Sequence, residues 1–153
     1  MTKYFKKYHI NLYAWCLMPN HYHFVVKQKN DSDIQKCFQN MFNSYAQAFN
    51  KQQARTGPLF ESRFKAVLVD NDNVLMHVCR YIHLNPVEGK LVTSPETWPY
   101  SNYADWLDGK KYILFDSYIR DTYFNSGKEY REFVHDLDAE RVRKKLSGKF
   151  FID

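Results

Sequence analysis

The sequence predicts an α+β sandwich, in which an antiparallel β-hairpin packs against amphipathic helices. Two short segments, residues 10–17 and 21–27, alternate apolar and polar side chains, which is the period of a half-buried strand. Residues 34–53 instead place apolar side chains three and four residues apart, which is the period of a helix. A chain of 153 residues with 44% hydrophobic content is large enough to bury a core of this kind.

The first half of the chain contains a helix end, a hairpin and a long helix. Residues 2–8 have the composition of a helix end. The hairpin turns at Pro19-Asn20, because proline restrains φ and asparagine tolerates turn geometry. Asp31-Ser32-Asp33 offers side-chain oxygens that can cap the helix expected over residues 34–53. Gly57-Pro58 then prevents this helix from continuing.

The second half is predicted to hold a further strand and a second helix. Residues 64–69 become rich in β-branched side chains, which favours a strand. Residues 70–73 provide the cap for a helix over 74–83, and Pro86 is expected to end it because the residue before a proline is pushed out of helical geometry.

A short helical extension is predicted after the main domain. Lys110 and Lys111 mark a junction, and residues from about 116 to 146 contain Tyr130, Phe133, Val134 and Leu137 at helical spacing. We therefore divide the chain into a domain over residues 1–109 and a C-terminal helical extension over 110–153.

Composition favours a nucleic-acid partner. The formal charge is +5 and aromatic residues make up 18% of the chain, so a positive field and base-stacking surfaces are both available. The cysteines are Cys16, Cys37 and Cys79, an odd and scattered set that predicts buried thiols in a reducing, cytoplasmic setting. No apolar stretch approaches the roughly 18 residues that a membrane span needs.

The motif His21-Tyr22-His23 is the first candidate for chemistry. Side chains two apart on a strand share a face, so both imidazoles can hold one metal ion while Tyr22 points away. Such a pair, taken alone, is more commonly a surface or core pair than a ligand set.

The predicted second helix supplies a candidate nucleophile and a candidate third metal ligand. Tyr81 and Asn85 are four residues apart and project from one face, which puts a phenol beside a neutral oxygen ligand. A tyrosine can attack a phosphodiester when the developing charge is neutralised, and a divalent cation held by His21, His23 and Asn85 would do this. Mg²⁺ or Mn²⁺ suits this site in function, although imidazoles also accept Zn²⁺ or Ni²⁺. The alternative to a nucleophilic role is that Tyr81 is a structural tyrosine packed in the core.

Three segments together resemble the single-tyrosine HUH transposases (IS200-like transposases), most closely the branch called REP-associated tyrosine transposases. The segments are residues 15–26 (WCLMPNHYHFVV), 57–65 (GPLFESRFK) and 80–87 (RYIHLNPV). They occur in the order and spacing of that family, and the resemblance covers roughly residues 5–107.

The resemblance implies a ferredoxin-like catalytic domain that binds single-stranded or hairpin DNA and cuts it. Tyr81 would form a covalent 5′-phosphotyrosine and free a 3′-hydroxyl, which a later strand transfer can rejoin without ATP. His21 and His23 would be metal ligands, and Asn85 would take the third position that related transposases fill with glutamine. DNA contacts are expected from basic residues around the motifs: Arg63, Lys65, Arg55, Lys51 and Arg80. Any one of these could instead be an ordinary surface charge.

The sequence departs from the family pattern at its start and near residue 87. The family opens with a strand and most of a helix that this sequence does not include, so we expect a sheet without its usual first strand. A truncated reading frame, a smaller sheet, or a strand supplied by a second copy would each account for this, and we favour a homodimer that completes the sheet. Val87-Glu88-Gly89-Lys90 lacks the arginine and alanine common in the family.

Two other functions compete with the transposase. A decayed or domesticated relative would bind nucleic acid without cutting it, but all four chemical residues are present, which favours the enzyme. A zinc-stabilised module using Cys16, His21 and His23 is disfavoured because the sequence offers no clear fourth ligand.

Overall fold

The computed structural model describes residues 1–108 and 116–136, and in this part of the chain the predicted α+β class is confirmed. A two-stranded antiparallel sheet is combined with helices, and none of the described helices is long and apolar enough to cross a membrane. The elements are α1 (Thr2–Lys7), β1 (Ile10–Leu17), β2 (Tyr22–Gln28), α2 (Ile34–Gln52), α3 (Asp72–Glu88), a 3-10 turn (Pro95–Thr97), α4 (Tyr103–Asp108), α5 (Tyr118–Tyr123) and α6 (Gly127–His135).

The chain forms two compact units, and the first combines residues 1–11 with 28–66. Its core pairs α1 with α2, where the ring centroids of Phe5 and Phe38 are 5.8 Å apart in an edge-to-face arrangement. As predicted, an aspartate caps α2: the side chain of Asp33 accepts a hydrogen bond from the backbone N–H of Lys36 at 2.8 Å.

The second unit combines residues 12–27 with the chain from residue 67 onward. Its core contains α3, most of the hairpin, and the fully buried aromatic side chains of Trp106, Tyr103 and Tyr130. Tyr130 and Val134 come from the predicted C-terminal extension and are fully buried in this core. The predicted division at residue 109 itself lies outside the described residues and stays a prediction, as do Leu137 and the junction lysines.

The prediction of a strand over residues 64–69 is wrong. The segment has no regular structure, and Leu68 is 82% exposed. A strand requires a hydrogen-bonded neighbour, and within the described residues the sheet consists of β1 and β2 alone. The β-branched composition of the segment is therefore insufficient to predict a strand, because strand formation also needs a hydrogen-bonded neighbour.

The prediction that Pro86 ends the second helix is also wrong. Helix α3 begins after its predicted cap, where the side chain of Asn71 accepts from the backbone N–H of Val74, and it continues through Pro86 to Glu88. The next turn of the chain is closed by a 2.8 Å hydrogen bond from the Gly89 N–H to the Asn85 carbonyl. Pro86 is fully buried, so packing offsets the backbone hydrogen bond that proline cannot donate.

The outer edge of β1 is covered from within its own unit. Residues 100–102 pair with it, and the Asn102 side chain binds both the N–H of Trp15 and the carbonyl of Tyr13, at 2.8 and 2.9 Å. Strand β2 pairs with β1 alone in the described part of the chain. The predicted dimer that completes the sheet stays a prediction.

Candidate active site

The hairpin turn brings the two predicted imidazoles together. The backbone N–H of Met18 donates to the carbonyl of His21 at 2.9 Å, which closes a loop formed by Pro19 and Asn20. His21 immediately precedes β2 and His23 lies within it. Their ring centroids are 5.0 Å apart with the planes at 81°, so one face of the hairpin presents both rings.

A hydrogen bond that His21 donates to the neighbouring residue fixes its tautomer. Its Nδ1 lies 2.7 Å from the Oδ1 of Asn20, and since a carbonyl oxygen only accepts, Nδ1 carries the proton. The lone pair of neutral His21 is then on Nε2, which is buried and makes no hydrogen bond within the described residues. This is the arrangement in which a second group orients a metal-binding imidazole. The sequence interpretation assigned Asn20 only to the turn and missed this role.

Helix α3 places the predicted nucleophile, Tyr81, next to the ring of His23. The ring centroids of His23 and Tyr81 are 5.6 Å apart at an interplanar angle of 76°. The structure therefore brings together His21, His23 and Tyr81. Tyr81 is only 3% exposed, so most of its ring is packed in the core of the second unit.

The last turn of α3 lies against the hairpin turn. A Cβ placed on Gly89 would be 3.2 Å from both the Asn85 carbonyl oxygen and the terminal carbon of Met18. Asn85 is 7% exposed, and its Nδ2 is buried without a hydrogen-bond partner among residues 1–108 and 116–136. Rotating the amide by half a turn exchanges Nδ2 with Oδ1, so the same position can present the oxygen that a hard cation prefers.

These donors fit a divalent cation with open coordination positions. The described residues hold no group of three His, Cys, Asp or Glu side chains suited to a metal, so a third protein ligand has to be of another type. The buried amide of Asn85, whose Nδ2 makes no hydrogen bond within the described residues, is of that other type, and His21 has a buried Nε2 without a partner there. Two imidazoles and one amide leave positions for phosphate oxygens.

Cys16 belongs to the core of the second unit. The side chain is fully buried, and burial raises the pKa of the Cys16 thiol to about 12. The zinc module that would use this thiol stays disfavoured, because the described residues hold no group of three His, Cys, Asp or Glu side chains suited to a metal.

Helix α3 is anchored by a buried polar network that the sequence interpretation missed. His83 is fully buried, with Nε2 at 3.0 Å from the Oδ1 of Asn102 and Nδ1 at 2.6 Å from the hydroxyl of Tyr130. The amide oxygen accepts the Nε2 proton, so Tyr130 donates to Nδ1 and the ring is neutral. Burial lowers the pKa of His83 to about 4. This network ties the helix of Tyr81 to β1 and α6.

The His83 pKa predicts how stability depends on pH. Between about pH 6.5 and 4 the unfolded chain binds a proton that the folded chain excludes, so the free energy of unfolding should fall as the pH falls through this range. The loss attributable to His83 should be on the order of 3 kcal/mol. Thermal unfolding between pH 4.5 and 7.5 measures it, and His83→Gln should flatten the curve. The exposed control His9→Asn should keep the slope of the parent, and equal slopes for both variants would contradict the prediction.

Arg80 was predicted to contact DNA, but its side chain is buried in the structure. It is 3% exposed, and its guanidinium donates to the carbonyls of Phe133 and Asp136 at 3.2 Å. Those carbonyls are at the end of α6, so Arg80 stabilises a helix C-terminus instead of facing solvent.

The other four predicted DNA-contact residues all belong to the first unit. Lys51, Arg63 and Lys65 are exposed, and Arg55 donates to the carbonyl of Pro58 at 3.2 Å while remaining exposed. Their assignment to DNA stays a prediction. The basic run over residues 141–145 lies outside the described residues.

Comparison with protein families places this chain in a known family. The family model described as "Transposase IS200 like" matches residues 1–85, which is more than half of the chain and includes the hairpin, Tyr81 and Asn85. The chain belongs to the IS200-like transposase family, and the predicted family membership is confirmed.

Two individual proteins refine this comparison. A Haemophilus influenzae protein described as a REP-associated tyrosine transposase is 27% identical over 100 residues, which are 59% of this chain and 57% of the relative. The chain thus spans little more than half the length of that relative. A solved structure of a REP-associated tyrosine transposase bound to a REP hairpin aligns with a TM-score of 0.62 at 21% identity, covering 76% of this chain and 69% of that one. The similarity to this solved structure supports the fold of the chain.

Proposed function

We propose that this chain is a metal-dependent single-stranded DNA endonuclease and strand transferase. The observation that carries the proposal is the approach of the His23 and Tyr81 rings to 5.6 Å, beside a His21 whose Nε2 is buried without a partner in the described chain. In cleavage the phenolic oxygen of Tyr81 attacks phosphorus and loses its proton. The P–O3′ bond breaks, the 3′-oxygen takes up a proton, and the 5′-phosphate stays bound to Tyr81.

The metal proposed for this reaction is Mg²⁺ or Mn²⁺, held by His21, His23 and the amide oxygen of Asn85. Such a cation polarises phosphate oxygens and neutralises charge that develops at phosphorus. Asn20 keeps His21 in the metal-binding tautomer through its 2.7 Å hydrogen bond. Tyr81 supplies the nucleophile.

The proposed partner is single-stranded or hairpin DNA, in keeping with the DNA in the solved relative. Lys51, Arg55, Arg63 and Lys65 are the proposed phosphate contacts, and their exposure supports this role. A homodimer that completes the sheet and a cytoplasmic location complete the proposal.

Metal dependence is tested at His21 and Asn20. His21→Ala should abolish Mn²⁺-dependent cleavage of single-stranded hairpin DNA, because one of two imidazole ligands is lost. Asn20→Ala should raise the Mn²⁺ concentration for half-maximal cleavage by about 10–100-fold, since it removes only the group that orients the ligand. His135→Gln, an exposed histidine of α6, is the matched control. Cleavage by His21→Ala in the presence of chelator would contradict the proposal.

A non-catalytic DNA-binding protein is the second candidate, and the 3% exposure of Tyr81 favours it. The two functions differ in one observable. A transposase forms a protein–DNA adduct that survives a denaturing gel, whereas a binding protein gives a complex that dissociates on that gel across many hairpins and metals.

A further inference from the structure

A small apolar cleft lies beside the hairpin turn and is not used by the proposed chemistry. Its volume is about 240 Å³, and the residues that line it carry no charge: Leu17, Met18, Pro19, Trp98 and Tyr100. We call this group of five residues the stacking cleft. Tyr100 is 57% exposed, so a large aromatic face is open to solvent at its rim.

The aromatic wall of the stacking cleft is held in place by β1. The indole N–H of Trp98 donates to the Leu17 carbonyl at 3.1 Å, and the Tyr100 carbonyl accepts from the Leu17 N–H at 2.8 Å. The two rings meet edge to face with centroids 5.4 Å apart. A flat ligand that stacks on Tyr100 would therefore lose little free energy to ordering of the wall.

The opposite wall is continuous with the candidate active site. Met18 belongs to this wall and is hydrogen-bonded to His21 at 2.9 Å across the hairpin loop. Pro19 precedes His21 by two residues, a separation that spans at most about 7 Å. An occupant of the stacking cleft is thus a near neighbour of a phosphate held at His21.

We propose that the stacking cleft binds one unpaired nucleobase of the DNA strand, close to the phosphate that Tyr81 attacks. This inference rests on the proposed function. The uncharged walls exclude a phosphate as the occupant, and an exposed tyrosine face is the surface on which single-stranded bases stack. Stacking tolerates any base, so the cleft sets the position of the strand and leaves sequence readout to other contacts.

The test measures binding of a DNA hairpin with mixed-sequence single-stranded tails, using the full chain in EDTA so that no cleavage occurs. Tail nucleotides are replaced one at a time by an abasic unit. The parent protein should lose affinity by about 5- to 150-fold at one position, the usual range for one stacked base. Tyr100→Ala should bind the intact DNA more weakly by a similar factor and become insensitive to the abasic unit at that position.

Matched variants separate aromatic stacking from simple apolar contact. Tyr100→Phe should keep the affinity of the parent, whereas Tyr100→Leu, which preserves an apolar wall, should behave as Tyr100→Ala. Tyr118→Ala removes a tyrosine of similar exposure outside the cleft and should change nothing. In addition, 2-aminopurine at the sensitive position should be quenched by the parent protein and not by Tyr100→Leu.

The outcomes distinguish this inference from the proposed function. An unchanged abasic profile in Tyr100→Ala would overturn the stacking cleft while DNA binding and cleavage by the parent stood. Equal binding by Tyr100→Leu and Tyr100→Phe would also overturn it, because an aromatic ring would then not be required. Failure of the parent to bind any single-stranded DNA would overturn both.

Discussion

Replacing Tyr81 with phenylalanine should eliminate the covalent protein–DNA adduct and reduce strand cleavage by roughly 10³-fold or more, because the attacking oxygen is removed. The phenyl ring retains the edge-to-face contact that places Tyr81 5.6 Å from His23, so the fold should persist. The measurement is a denaturing gel of labelled single-stranded hairpin DNA incubated with protein and Mn²⁺.

Two comparisons make the Tyr81 result decisive. Tyr118→Phe removes the hydroxyl of an exposed tyrosine and should form the adduct at the rate of the parent. Hairpin binding by Tyr81→Phe should stay within a few-fold of the parent, which separates lost chemistry from lost folding. An adduct that persists in Tyr81→Phe would identify another nucleophile and reject the proposed mechanism.

Replacing Asn102 with alanine should cause the largest loss of stability. Its fully buried amide bonds the N–H of Trp15, the carbonyl of Tyr13 and the imidazole of His83. Removing the amide leaves the Trp15 N–H and the His83 Nε2 without their partner, at about 1–3 kcal/mol for each group that water cannot reach. The Tyr13 carbonyl keeps a second hydrogen bond, from the indole N–H of Trp106 at 3.0 Å. A total on the order of 3 kcal/mol or more is a large fraction of the stability of one domain.

Thermal and urea denaturation at pH 7 measure the effect of Asn102→Ala. Asn73→Ala is the matched control, because Asn73 is exposed in the first turn of α3 and should change the free energy of unfolding by less than about 0.5 kcal/mol. Equal midpoints for the two variants would show that the buried network does not anchor α3.

Short-range patterns predicted most of the described elements and the residues of the candidate site. Alternation over residues 10–17 predicted β1 with its observed bounds, and the aspartate cap predicted the start of α2. The His-x-His spacing predicted a shared face, and the rings of His21 and His23 do lie 5.0 Å apart. These features were predictable because neighbouring residues determine them.

The predictions that were wrong all concern features that depend on residues far away in the sequence. Residues 64–69 have strand composition but no neighbouring strand, and Pro86 stays helical because the fold buries it. Arg80 resembled a surface cation in sequence, yet the end of α6, more than 50 residues away, accepts its hydrogen bonds. No local pattern contains the position of that partner.

The sequence by itself determined the α+β class, the family motifs and the candidate set of His21, His23, Tyr81 and Asn85. Tertiary structure alone decided that Asn20 orients His21, that His83 is neutral and buried, and that Trp98 and Tyr100 form an aromatic wall beside the hairpin turn. The physical reason is that periodicity and capping act over a few residues, whereas burial and hydrogen-bond partners depend on where the whole chain folds.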